Sequence, residues 1–452
     1  MKNKLLKAIC LLSAVAMLSG CTKPYRAETP TPVLESEKEN TVAIDPGTPF
    51  YNETVNLTEG RTPGRIENVT IENVQYDNLS NASVALLYQT ALKEEDKSRN
   101  ILLSPLSIQT ALGMTELGAE GDTLKQMEEV VNGGVSHSEL DTAMNLLAAR
   151  MRKSQNVKWN VANSLWFRDN GLAQLKENYL NDVVTYYNSD IFYAPFDNQT
   201  LEDINGWVDE ETNHMIPKIL GEIPDDAYMY LINAVAFEAE WEEQYKDTQI
   251  NENRRFENID GSESDVTMLA STEYGYFNLE GGEGFIKPYK GGEYSFVAIL
   301  PDENTTPEEY LNKLLTSKTD LSKAIREASD DEVHVMIPEF TLNYDIELSD
   351  IYKEMGMDIP FDPNRAEFHK MMEPVNNVDY DVWIGKILHK THIEVDRKGT
   401  KAAAVTAVEM DLAMATLPME EHYITLDRPF VYAIVENETG YPMFLGTQNS
   451  MN

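Results

Sequence analysis

Lys398-Gly399-Thr400-Lys401-Ala402-Ala403-Ala404-Val405-Thr406 suits no single regular structure. Three consecutive alanines favour a helix, whereas Gly399, Thr400, Val405 and Thr406 around them do not. Written as extended chain, residues sort by parity. Thr400, Ala402, Ala404, Thr406, Val408, Met410 and Leu412 share one face, which is uncharged throughout and grows larger and more apolar. Lys401, Ala403, Val405, Ala407, Glu409 and Asp411 share the other, which carries every charge. Residues 400–412 thus have the pattern of a strand with one buried face, roughly 43 Å long at ~3.3 Å per residue. The small residues at its start nevertheless make it a poor strand by propensity. A segment able to be strand, helix or loop is a candidate switch; the plain alternative is an ordinary amphipathic strand.

Outward from this stretch, the chain mixes helices and strands without regular alternation, which predicts an α+β fold. A helical period starts near Ser80, with Val84, Leu86, Leu87, Thr90 and Leu92 on one face. Ile101-Leu102-Leu103 reads as a buried strand stopped by Ser104-Pro105, followed by a helix over 106–117. Gly118-Ala119-Glu120-Gly121-Asp122 reads as a loop, with Asp122 or Thr123 capping the next helix. Residues 157–167, 227–237, 296–300 and 333–337 read as strands, and 202–214 as helix. No repeat of fixed period is present.

The 452 residues include 42% hydrophobic and 9% aromatic side chains, enough for one large packed body. Acidic residues outnumber basic ones 76 to 37, a net charge of −39, spread along the chain. Such a surface repels phosphate backbones, so no nucleic-acid partner is expected. Nor is there an apolar run of about 20 residues to span a bilayer.

Residues 1–20 have the parts of an export signal: Lys2, Lys4 and Lys7, an apolar run over 8–18, then small residues. Leu18-Ser19-Gly20-Cys21 resembles the bacterial lipobox, where cleavage precedes a cysteine that receives lipid. Cys10 would leave with the signal, so Cys21 becomes the only thiol and no internal disulfide, cysteine metal site or thiol nucleophile remains. Residues 21–78, with Pro24, Pro30, Pro32, Pro46, Pro49 and Pro63, read as an extended tether, and 79–452 as the folded body. The expected location is the bacterial cell envelope, with membrane contact only through lipid on Cys21.

Catalytic motifs are missing. Among the seven histidines there is no His-Glu-x-x-His, and His389 and His392 on a strand would face opposite sides, so one metal could not take both. There is no Gly-x-Ser-x-Gly elbow, and Gly281-Gly282-Glu283-Gly284 is too acidic for a phosphate loop. Neither metal nor cofactor is expected, and the chain does not read as an enzyme.

At the level of ordered motifs, the chain resembles the serpin family. Gly399 to Thr406 looks like the reactive-loop hinge, and Asp427-Arg428-Pro429-Phe430 like the segment after that loop. Asn100-Ile101-Leu102-Leu103-Ser104-Pro105-Leu106-Ser107-Ile108 is similar to the early strand and helix. Further matches are Gly118-Ala119-Glu120-Gly121-Asp122-Thr123, Asn205-Gly206-Trp207-Val208, Asn233-Ala234-Val235-Ala236-Phe237 with Trp241, Leu300-Pro301, and Phe444-Leu445-Gly446. They fall in family order over 78–452.

The resemblance implies three β-sheets, eight to nine helices and an exposed bait loop. It implies a monomer that traps a target protease as a covalent acyl complex, the cleaved loop then entering the main sheet as a strand. The hinge would be Gly399, Thr400, Ala402, Ala403, Ala404 and Thr406. Ser104, Ser107, Asn233 and His389 match the polar cluster beneath the point where the sheet opens. Counting from the hinge puts the reactive bond at Ala413-Met414; counting back from Pro429 keeps Met414-Ala415 and Leu417 open. Small and apolar residues there suit elastase-like or subtilisin-like enzymes, with papain-like cysteine proteases as a further class. The alternatives are a serpin-shaped binding or chaperone protein that does not inhibit, and an unrelated surface lipoprotein.

The chain also departs from the family pattern. Arg397 stands at the usual hinge acid, Pro338-Glu339-Phe340 at the usual Pro-Lys-Phe, Lys401 at a common acid, and Ala239 at a usual glycine. The loop is about five residues longer than common. Because both signs are reversed together, Arg397 and Glu339 are expected to form an ion pair.

Overall fold

A computed structural model describes residues 49–64, 74–225, 227–375, 382–400 and 420–451. In chain order the elements begin β1 (Val55–Asn56), α1 (Tyr76–Lys93), β2 (Ile101–Leu103), α2 (Pro105–Glu116), α3 (Gly121–Val130), α4 (His137–Lys153) and β3 (Val157–Arg168). There follow β4 (Ala173–Leu175), α5 (Glu177–Tyr186), β5 (Asp190–Ala194), α6 (Asn198–Glu211), β6 (Met229–Glu240), β7 (Ile250–Glu257) and β8 (Glu263–Leu279). Next come β9 (Gly282–Pro288), β10 (Tyr294–Pro301), α7 (Pro307–Ser317), α8 (Leu321–Arg326), β11 (Ser329–Pro338), β12 (Phe340–Glu347) and α9 (Ser349–Glu354). Last are β13 (Met372–Pro374), β14 (Lys386–Val395), β15 (Gly399–Thr400), β16 (Glu421–Thr425), β17 (Phe430–Glu436) and β18 (Pro442–Gln448).

Among the described residues these nine helices accompany three sheets. The main sheet runs β1-β5-β3-β6-β15-β14-β12. A nine-stranded sheet runs β16-β11-β8-β9-β10-β17-β18-β2, with β7 on β8, and β13 pairs with β4. The α+β class thus follows from sheets whose strands come from distant parts of the chain. β6, β10, β17 and β18 are buried along almost their whole length, as their continuous apolar runs require.

Helix α2 is buried at every position. Ser104 caps it, accepting from Ser107 N–H at 3.4 Å, and Pro105 sits in the first turn where its missing N–H costs nothing. The residues that stop the preceding strand therefore also start this helix, and they carry polar groups into the core.

Several local expectations are corrected. Part of the tether assigned to 21–78 is packed on the body: β1 pairs with β5, and Phe50 and Tyr51 donate backbone N–H to the Asp169 carboxylate. Edge pairing plus the Phe50 and Tyr51 rings against Tyr193 outweigh the local proline content. Helix α1 starts at Tyr76, before Ser80, and Leu92 is 47% exposed instead of facing the core. Neither Asp122 nor Thr123 caps α3; its N-cap is Glu120, while Thr123 Oγ1 accepts the Glu367 N–H. Residues 1–20, Cys21 and the rest of the tether to residue 48 lie outside the described residues.

Candidate functional site: the hinge and the gap in the main sheet

The parallel strands β6 and β14 stay in register over seven pairs, from Tyr230 and Lys386 to Ala236 and His392. Beyond that they part, and Gly399–Thr400 lies between them, pairing antiparallel to Glu240 and Ala239 on one side and to Val395 on the other. The gap is thus already occupied at its upper end.

The chain reaches this position through a tight turn. Asp396 Oδ1 accepts from the N–H groups of Lys398 (2.7 Å) and Gly399 (3.0 Å), and Asp396 N–H donates to Gly399 O. Trp241 donates its indole N–H to Asp396 O at 2.8 Å and its backbone N–H to Lys398 O. Gly399 passes so close to β6 that a Cβ there would stand 2.0 Å from Ala239 O, which only glycine avoids. Thr400 is fully buried, its hydroxyl 2.6 Å from the Tyr289 hydroxyl. Tyr289 stacks on Trp241 (4.6 Å), and burial pushes its phenol pKa upward, so it stays neutral.

Ser104, Ser107, Asn233 and His389 meet below the point of parting. Ser104 N–H donates to His389 Nε2 at 3.0 Å, so Nε2 is unprotonated and Nδ1 carries the hydrogen it gives to Asn233 Oδ1. Asn233 Nδ2 (3.2 Å) and the Ser107 hydroxyl (2.6 Å) both donate to Asn163 Oδ1. Ser104 Oγ donates to Met443 O, and Thr391 Oγ1 to Leu102 O. The bonds converge on Asn163 Oδ1, and an imidazolium would oppose the Ser104 N–H. Burial accordingly pushes the His389 pKa from 6.5 down to about 3. His389 is buried whereas His392, across the strand, reaches Asn343 on the outer side. Among the described residues no group of side chains is placed to hold a metal.

Arg397 and Glu339 form a two-point ion pair: Nε to Oε1 and Nη2 to Oε2, each 3.0 Å, with Arg397 N–H on Oε1 as well. The hydrogen bond to Glu339 raises the Arg397 pKa.

Sequence reasoning missed five members of the site. Asn163 is the acceptor that joins Ser107 to Asn233; with Lys158, Asn160 and Ser164 on the same strand, nothing in the sequence marked it out. Tyr289 and Asp396 left no signal either, since their partners are set by the turn. A buried Lys287–Glu273 pair lies under Tyr245 and Trp241, with the Lys287 ammonium 4.6 Å and 5.2 Å from their ring centroids. Ala402, Ala403, Ala404 and Thr406 of the hinge, and Ala413 and Met414 at the reactive bond, lie outside the described residues.

Comparison with known proteins agrees with this arrangement. Residues 79–451 match the family model described as Serpin (serine protease inhibitor). An uncharacterized serpin-like protein of Methanosarcina acetivorans is 29% identical, over 84% of this chain and 87% of its own. Neuroserpin of Mus musculus is 30% identical over 78% of this chain and 87% of its own. The thermophilic serpin tengpin in its native state superposes with a TM-score of 0.78 at 36% identity, covering 88% of this chain and all of tengpin. Tengpin in its latent state gives 0.69 at 35% identity, over 86% of this chain and all of tengpin. The matched residues, the three sheets and the hinge between β6 and β14 together place this chain in the serpin family.

Proposed function

We propose that the protein inhibits proteases by offering the loop after Thr400 as a substrate and drawing it into the main sheet once it is cut. The observation that carries this reading is Thr400 seated between β6 and β14. If that register continues, Ala402 and Ala404 pass down the gap, and Thr406 arrives opposite both Asn233 and His389. A small hydroxyl then replaces the bond between those two side chains, and each can re-form a hydrogen bond with it. Val408, Met410 and Leu412 follow, each adding roughly 1.5–3 kcal/mol of apolar burial, while Lys401 stays on the outer face. One parallel pairing is exchanged for two antiparallel ones, so backbone hydrogen bonds increase.

In this mechanism the protease nucleophile attacks the Ala413 carbonyl. The Ala413–Met414 peptide bond breaks, the Met414 amine leaves with a proton, and an ester or thioester joins the enzyme to Ala413. Insertion carries the enzyme along before water can release it. The targets are elastase-like or subtilisin-like serine proteases, with papain-like cysteine proteases as a second class. In this reading the signal over 1–20 exports the chain and is removed, and lipid on Cys21 then holds the monomer on the cell envelope.

The test is to mix the protein with such proteases and run denaturing electrophoresis. A band at the summed mass less the released carboxyl-terminal peptide, which resists denaturant and disappears with an active-site-blocked protease, is expected. Cleaved inhibitor with no such band from any protease would overturn the proposal.

A further inference from the structure

Among the described residues the exposed large hydrophobic side chains are Leu92, Tyr274 and Tyr423, and the two tyrosines belong to one strip. β11 lies between β8 and β16, and its register aligns two rows of side chains. Tyr274, Glu332 and Glu421 form one, and Thr272, His334 and Tyr423 the next. The alternate residues Val333, Val335 and Ile424 are buried beneath, so the strip stands on packed core and its backbone is fixed.

The rings are held out rather than tucked away. Tyr274 is 60% and Tyr423 68% exposed. The His334 ring stacks on Tyr423 at 4.7 Å and its Nδ1 lies 3.1 Å from the Thr272 hydroxyl. Tyr423 donates its hydroxyl to Glu421 at 3.1 Å. A single exposed tyrosine needs no explanation. Two pre-positioned aromatic faces beside two carboxylates match one side chain better than others: an arginine, which stacks on a ring and pairs with a carboxylate. Tyrosine also supplies contact area at low entropic cost.

Position points to the occupant. Glu421 opens β16, so the chain from Met414 to the strip can span at most about 25 Å. A protease domain of ~250 residues has a radius of gyration of about 18 Å. An enzyme closed on the bait bond is therefore within reach of this strip.

We propose that Tyr274, Tyr423, Glu332 and Glu421 form a second docking surface for the target protease, recognising basic side chains, arginine above all, beside its substrate cleft. This rests on the inhibitor reading, and it selects among proteases with the same primary pocket by their surface charge. The acidic surface of the whole chain steers the same class of partner.

The test uses the full chain and the protease that it traps fastest. The double variant Tyr274→Ser/Tyr423→Ser and the variant Glu332→Lys/Glu421→Lys are compared with wild type. The expected result is a second-order trapping rate lowered at least tenfold in both, with unchanged stoichiometry of inhibition and unchanged melting temperature. Raised salt should slow wild type by a larger factor than the charge-reversed variant, which keeps only the steering by the rest of the acidic chain. An unchanged trapping rate would overturn the docking surface and leave the inhibitor reading standing. A slower rate accompanied by altered stoichiometry or melting would make the strip structural and overturn it too. Absence of covalent complexes from wild type with every protease would overturn the inhibitor reading, and the docking surface with it.

Discussion

Arg397 at the base of the hinge grips Glu339 at the start of the neighbouring strand through two parallel hydrogen bonds of 3.0 Å. Their side chains are 44% and 23% exposed, so the pair stabilises by only about 0–1 kcal/mol. It acts, however, where β6 and β14 have already parted around Gly399–Thr400. Glu339→Lys should loosen this end and promote heat-induced polymers, and adding Arg397→Glu should restore resistance. Light scattering during a thermal ramp measures this; a double swap no better than the single would refute it.

Thr400 has no room for a larger or charged side chain, since it is fully buried against Tyr289. Thr400→Arg should turn inhibitor into substrate, because burying the guanidinium costs several kcal/mol and stalls insertion while deacylation proceeds. Stoichiometry of inhibition is the readout. The milder Tyr289→Phe leaves the Thr400 hydroxyl without its partner, and should destabilise by about 1–3 kcal/mol. Stable complexes from Thr400→Arg at wild-type stoichiometry would refute the insertion route.

His389 should impose a pH dependence on the shut state. Its pKa falls from 6.5 to about 3 on folding, so between those values the unfolded chain binds the extra proton. Stability from this site is therefore complete above pH 6.5 and is lost as pH falls toward 3, at about 1.4 kcal/mol per unit. Burial raises Asp141 to about 7 and Glu116 well above its usual range, and these oppose the trend because the folded state holds their protons. The difference between wild type and His389→Gln isolates the histidine. Parallel stability–pH curves for the two would contradict the assignment.

The fold was legible where one residue type carries one local meaning. Ser104-Pro105 ends a strand and starts a helix by its own chemistry, and the stretches 157–167, 227–237, 296–300 and 333–337 read as strands fall on β3, β6, β10 and β11. The first strand was not legible, because β1 is only Val55 and Asn56, too short for a period, and exists through its partner β5. Asn163 and Tyr289 escaped for a related reason: each is defined by a residue from a distant strand, Asn233 and Thr400 respectively. The Lys287–Glu273 pair sits on adjacent strands of a long meander, where only three-dimensional register brings the two charges together.

Cleavage by the trapped protease should fall at Ala413–Met414. Mass spectrometry of the released carboxyl-terminal peptide should find Met414 as its first residue. Lys and Arg are absent from 402–418, so trypsin-like enzymes should neither cut there nor be trapped. A first residue outside 414–418 would contradict the assignment.

Hydrogen exchange before and after cleavage within the bait loop tests the central claim most directly. If residues 401–412 become the strand between β6 and β14, their amides should change from fast exchange to protection comparable with the β6 amides, while β6 and β14 stay protected. Amides over 401–412 that still exchange at the rate of an unstructured peptide after cleavage would contradict loop insertion outright.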